Sequence, residues 1–191
     1  RTFAERVANL RTSRIGFRFE RIQESLFAAH PDTESLRAGL VIPGRTEIDL
    51  LQRLRTLPKT AIHWEIAVKF YLGLDEGGSE DPDRFVGPSL KDTLGKKCRT
   101  IFERQLAVLG DASVRESHGP AFGIAAEDRI IALPKVHGIL FLPYQGREEV
   151  RRPDRVVEGS GRGAWMTVDR IEEFFESVPN AIGARVRWLH D

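Results

Sequence analysis

The chain has 191 residues, 41% of them hydrophobic, enough to close a core without disulfide or metal staples and suited to one domain spanning 1–191. Charged residues make up 30% but nearly cancel to a formal net charge of +1; this excludes a uniformly basic nucleic-acid coat, not a basic surface offset by an acidic metal site. The single cysteine, Cys98, forbids an intramolecular disulfide and favours a reducing, cytoplasmic setting; no apolar run nears the ~20 residues of a membrane span, and the charged start is no secretory signal.

In chain order, Ile15, Phe19, Ile22 and Leu26 recur at helical spacing and predict a helix over 14–29 with that stripe buried; Pro31 stops it. The apolar run Leu36–Ile42 predicts a strand closed by Pro43-Gly44. Residues 46–54 predict a second strand, with Glu47, Asp49 and Leu51 facing one way and Ile48 and Leu50 the other. After Pro58, residues 60–72 are rich in β-branched and aromatic types and predict a third strand. Its His63, Glu65, Ala67 and Lys69 share one face; Trp64, Ile66, Val68 and Phe70 share the other, which is wholly apolar and predicts a covering helix. The three strands are close enough in sequence for an antiparallel meander.

Residues 73–88 read as an acidic, Gly- and Pro-containing loop. Ser89 is placed to cap a helix running to Leu109, whose stripe of Leu90, Leu94, Cys98, Ile101, Phe102, Leu106 and Leu109 complements the apolar face of the third strand. Residues 111–129 read as irregular, and Val136–Tyr144 as a strand that could pair with 130–133 across Pro134-Lys135. A connection over 145–163, a helix from Thr167 to Ser177 and a strand over 184–189 complete the chain. This order predicts an α+β or α/β fold around one mixed sheet flanked by helices.

Phosphodiester hydrolysis uses a divalent metal on one or two carboxylates, with a lysine to offset developing negative charge. Neighbouring strands supply such a set when one brings an acid and the next an acid and a lysine on one face. Asp49, Glu65 and Lys69 fit that pattern; the ordinary alternative is the solvent face of a half-buried strand. His63 shares the Glu65 face, where a lone histidine is more often a packing residue than a ligand. Gln105 interrupts the apolar stripe of its helix, and Lys91, Lys96, Lys97, Arg99 and Arg104 make that helix basic. The histidines show no paired spacing, so zinc is not expected, and no phosphate-binding loop, dinucleotide glycine fingerprint or nucleophile elbow is present.

The segment HWEIAVKFYLG (63–73) resembles the signature of the bacterial domain-of-unknown-function 1853 family, grouped with the PD-(D/E)XK nucleases. RIGFRFERIQ (14–23), TEIDLL (46–51) and GPSLKDTLGKKCRTIFERQL (87–106) resemble its opening helix, acid-bearing strand and following helix, in order. The resemblance covers about 14–145 and implies a restriction-endonuclease-like αβββαβ core, with 146–191 as a C-terminal extension carrying the extra helix and strand. It implies catalytic roles for Asp49, Glu65, Lys69 and Glu20, with Mg²⁺ or Mn²⁺ on Asp49 and Glu65 and DNA, or secondarily RNA, as substrate. The superfamily places acid and lysine two residues apart; here Glu65 and Lys69 are four apart, roughly 13 Å along a strand. The expected function is therefore a metal-dependent nuclease, with a catalytically degenerate fold that binds nucleic acid or protein as the alternative.

Overall fold

The computed structural model describes residues 14–75, 79–144, 153, 156–157 and 161–170. In chain order these form helix α1 (Ile15–Ala29), strands β1 (Thr33–Ile42), β2 (Thr46–Leu54), β3 (Thr60–Gly73) and β4 (Phe85–Val86), helices α2 (Leu94–Arg99) and α3 (Ala112–Phe122), and strands β5 (Arg129–Pro143) and β6 (Gly161–Trp165). The sheet has six strands in the order β1-β2-β3-β5-β6, with β4 also on β3. β1–β2 and β2–β3 are antiparallel, as the meander predicts, and β5–β6 is parallel, so the fold is α+β with a mixed sheet. The chain divides into two compact units, the first made of residues up to Val68 plus Cys98–His137, the second of Lys69–Lys97 plus the chain from Gly138 onward.

In the first unit, the boundaries of α1, β2 and β3 follow the local sequence closely, but the rotation of α1 does not. Of its expected stripe, Ile15 is 56% and Leu26 46% exposed, while the buried residue is Gln23. The helix turns Phe19, Gln23 and Phe27, at i, i+4 and i+8, toward the protein, because two aromatic contacts outweigh a generic apolar stripe. Phe27 stacks on Trp64 with ring centroids 4.7 Å apart, and Phe19 meets His137 of β5 at 5.1 Å. A directional hydrogen-bond chain reinforces the first contact. Trp64 Nε1 donates to Gln52 Oε1 (3.0 Å), Gln52 Nε2 donates to Thr33 Oγ1 (2.8 Å), and Thr33 Oγ1 donates to the Phe27 carbonyl (2.7 Å). That last carbonyl belongs to the final turn of α1, where helix acceptors lack intrahelical partners.

The main core of this unit gathers Ile42, Ile48, Leu51, Ala61, Val108, Leu109, Val114, Phe122 and Ile124. This corrects the expected layering. The helix on the Trp64 face is α1, and residues 108–109 pack instead with Leu51 and Ala61. The segment after α2 also differs from one regular helix. It passes through a π-helical turn at Thr100–Gln105, with Leu106 N donating to Ile101 O, then a 3₁₀ turn at Val108–Gly110. The extra residue in the π turn shifts the apolar phase so that Ile101, Leu106 and Leu109 are all buried.

Residues 112–122, expected to be irregular, form α3. Asp111 caps its start by accepting from Ser113 N (2.9 Å), and Gly123 ends it in the left-handed conformation, φ 72°. Pro120 lies in the last turn of this helix, which therefore forms without one of its i→i−4 donors. The expected hairpin at Pro134-Lys135 is likewise absent; β5 is one strand from Arg129 to Pro143.

The loop from α3 to β5 is tied down by a buried carboxylate. Asp128 pairs with Arg53 and accepts from Ala125 N (2.7 Å), and Arg115 donates to the carbonyls of Ala126 and Asp128, each at 2.7 Å. Burial by itself would push the Asp128 carboxyl up; the Arg53 bond, the Ala125 N–H and the charges of Arg53 and Arg115 outweigh it and hold the carboxyl below the usual range.

The second unit packs Tyr71, Phe85 and Leu142 with Leu94 and Leu140. Part of the expected loop is regular: Asp81 caps a 3₁₀ turn at Pro82–Arg84, and β4 follows, pairing Val86 with Leu72 and Phe85 with Gly73. Two apolar residues at the end of an acidic stretch are enough to return the chain to the sheet. The α2 cap is Thr93 rather than Ser89: Thr93 Oγ1 accepts from Lys96 N (3.1 Å) and donates to Asp83. β6 begins within the expected connection and runs past it to Trp165, whose Nε1 donates to Gly73 O (3.0 Å). Thr167 precedes a 3₁₀ turn at Val168–Arg170; residues 171–177 of the expected helix and the strand at 184–189 lie outside the described residues.

Two outcomes follow from this packing. A side chain at Gly138 would run into the Lys69 carbonyl oxygen, a backbone atom that cannot step aside, whereas Gly110 has open space around it. Gly138→Ala should therefore cost about 3 kcal/mol or more in chemical denaturation, and Gly110→Ala stay within about 1 kcal/mol. Equal effects from the two would contradict the close β3–β5 approach. Asp128→Ala should cost about 3 kcal/mol, since it leaves Arg53 with only the Gly123 carbonyl and removes the acceptor of Ala125 N. The Asp128 pKa is lowered on folding, so its contribution is complete above the unfolded carboxylate value of 3.8 and fades as pH falls through the lower folded value. Urea midpoints across that acid range should show a shallower loss for Asp128→Asn than for the parent.

Candidate functional site

β2 and β3 pair over Leu50↔Trp64, Leu51↔His63 and Gln52↔Ile62. The next rung would set Asp49 opposite Glu65. There the ladder stops, and the Asp49 side chain takes the place of a backbone acceptor: Asp49 Oδ2 accepts from Ile66 N at 2.7 Å. Asp49 is thereby held half-buried against the peptide that joins Glu65 to Ile66. A carboxylate that accepts a backbone N–H keeps further lone pairs for other partners. Beyond this rung, β3 continues with β4 and β5 as its neighbours.

The structure thus brings two of the four expected acid and lysine positions together. Asp49 lies beside the backbone of Glu65, and the Glu65 side chain is 2% exposed. Lys69 is four residues further along β3, half-buried, in the second unit. Glu20 is half-buried on α1, three residues before the buried Gln23. However, α1 covers the Trp64 side of β3, whereas strand alternation turns Glu65 to the opposite side. Among the described residues, no three His, Cys, Asp or Glu side chains converge as a metal-holding group, so a cation here would rest on the Asp49 and Glu65 carboxylates with water filling the other positions, as Mg²⁺ commonly does.

His63 is the residue that sequence reasoning undervalued. It is 0% exposed, opposite Leu51, and by alternation on the Glu65 side of β3. Neither ring nitrogen has a hydrogen-bond partner among the described residues. Burial alone lowers its pKa from 6.5 to about 4, so the ring is neutral at pH 7. Its signal in the sequence was its place between Ile62 and Trp64 in a strand that is apolar on its other face. Gln52 and Trp64 were also missed as a bonded pair, because their two-residue diagonal offset emerges only once the β2–β3 register is known.

A family model described as a domain of unknown function (DUF1853) matches residues 1–191. The chain belongs to this family. No curated protein and no solved structure matches it. The family's description assigns no activity, so any chemistry has to come from the geometry above. Among the described residues, no helix is long and apolar enough to cross a membrane.

The buried imidazole generates a pH prediction. Its folded pKa is depressed, so its contribution to stability is complete above 6.5 and is lost as pH falls toward about 4, where the unfolded state alone takes up the proton. That window accounts for about 3 kcal/mol. His63→Leu should abolish the dependence between those values. It should leave stability at pH 7 unchanged or raised, since it removes two buried polar atoms that have no partner. A large loss of stability at pH 7 in His63→Leu would mean that the ring nitrogens have partners in solution.

Proposed function

We propose that this chain is a PD-(D/E)XK-type phosphodiesterase with a restriction-endonuclease-like core, hydrolysing DNA or, secondarily, RNA. Asp49 and Glu65 would carry Mg²⁺ or Mn²⁺. The observation that carries this reading is the Asp49 Oδ2 to Ile66 N bond of 2.7 Å at the last β2–β3 rung, which holds one acid against the backbone of the other. The order α1, β1, β2, β3, then β4, α2, α3 and β5 contains a helix, three-strand, helix, strand sequence with one short strand and one helix added. When bound, the cation supplies Lewis-acid polarisation of the phosphate and a more acidic attacking water. Asp49 and Glu65 orient it. Lys69 would offset negative charge that develops on the phosphate; Glu20, on the helix over the opposite side of β3, is given no part in the site. A cytoplasmic site of action fits the lone cysteine.

One specific observation favours the second reading, a degenerate fold that binds nucleic acid or protein without cutting. Glu65 is 2% exposed, and Lys69 follows it by four residues rather than the two of the superfamily pattern.

The two readings separate in a paired assay. A cation that binds only the folded chain raises stability by about 2.7 kcal/mol at a hundredfold excess over its Kd, which is several degrees in melting temperature for a chain of this size. Mg²⁺ or Mn²⁺ should give that shift, Asp49→Ala should remove it, and Lys69→Ala should keep it while cleavage of plasmid or single-stranded DNA falls by orders of magnitude. Stabilisation without cleavage of DNA or RNA favours the binding module. No shift over the millimolar range overturns the nuclease.

A further inference from the structure

We infer that Trp64 and Gln52 are positioning residues for the Asp49–Glu65 pair: their side-chain bond fixes where the β2–β3 ladder ends and so holds the Asp49 carboxylate on Ile66. The inference rests on the proposed reading for its functional meaning, but its geometry stands on its own. Leu50↔Trp64 is the last paired rung before Asp49, and the indole bond at 3.0 Å crosses the same short ladder from Trp64 to Gln52, which lies opposite Ile62. A ladder of three backbone pairs is short, so a side-chain tie across it bears directly on where the strands part.

The direction of the tie is forced. An indole N–H can only donate, which turns the Gln52 carbonyl oxygen toward Trp64 and its amide nitrogen toward Thr33. The Thr33 hydroxyl, accepting from Gln52, must then donate onward, and does so to Phe27 O at 2.7 Å. Gln52 is buried, at 3% exposure, so water cannot readily replace the indole. Without that donor the Gln52 amide loses its reason to face one way, and the connection from β3 through β2 and β1 to the end of α1 loses its polarity. Phe27 stacks on Trp64, so the same indole is gripped from the helix side as well.

Trp64→Phe is the informative variant, because it keeps an aromatic ring against Phe27 and removes only the donor. Gln52→Met, which removes both ends of the tie at similar volume, is the second. Two readouts are needed. The first is hydrogen exchange of the Ile66 amide, which requires no metal. In Trp64→Phe and Gln52→Met it should exchange at least tenfold faster than in the parent, approaching Asp49→Ala. Val114→Ala serves as control, a core substitution on α3 that lowers global stability without touching the tie; concentrations of denaturant are set so that all variants have equal global stability. The second is Mn²⁺ affinity by titration calorimetry, which should weaken at least tenfold in the two tie variants and not in the control. An Ile66 amide as protected in both tie variants as in the control overturns the inference, whatever the metal does. Fast Ile66 exchange with no Mn²⁺ binding to the parent supports the positioning geometry and sinks the metal reading instead.

Discussion

β3 is covered on both faces, and most of what is distinctive in the first unit follows from that constraint. A strand with one wet face can leave charges in water. Here α1 takes the Trp64 side, while Ala61 on the other side joins a core with Leu51, Leu109, Val114 and Phe122. Every polar side chain on the strand is then under pressure to find a partner or surrender its charge. Trp64 finds Gln52; His63 becomes a neutral ring. Asp49, from the neighbouring strand, resolves the opposite problem, supplying the acceptor that the Ile66 amide would otherwise lack.

Those three solutions lie within a few residues of one another, at the point where β2 stops pairing with β3. A sheet that parts between two strands leaves backbone groups without ladder partners, and acidic or amide side chains are the natural replacements. The same parting offers a place where carboxylates can gather without being solvated on both sides. A functional site and a structural repair draw on the same residue types there. Lys69 and Glu20 depend on elements beyond that rung: one on the continuation of β3 into the second unit, the other on a helix over the opposite face.

The second unit shows a different economy. Its strands approach so closely that glycine is required at Gly138 against the Lys69 backbone and at Gly163 against the Phe141 ring. Its helix begins on Thr93, backed by Asp83, rather than on the Ser89 favoured by position in the sequence. Leu90, expected inside the helix, adopts a left-handed φ of 56° in the turn before it and is exposed. The apolar residue is sacrificed there because Gly87 and Asp92 close the turn through their backbones, with Gly87 N donating to Asp92 O at 2.8 Å.

What could be read locally was read well: α1 between its periodic start and Pro31, β2 over Thr46–Leu54, β3 over Thr60–Gly73, the antiparallel meander, and the strand phase that puts His63 and Glu65 together. Helical period, strand alternation and turn chemistry are properties of neighbouring residues, so the sequence alone determines them. The rotation of α1, the layer that covers each face of β3, the survival of α3 around Pro120, the unbroken course of β5 and the end of the β2–β3 ladder were decided only in three dimensions. Each depends on a partner far along the chain: Phe27 on Trp64, Leu109 on Ala61, Arg53 on Asp128, Asp49 on Ile66. Asp49 and Glu65 were legible as acids in phase, because phase is local. That one would be held against the backbone of the other, with a buried histidine on the same strand, was not, because register and burial are set by the whole fold.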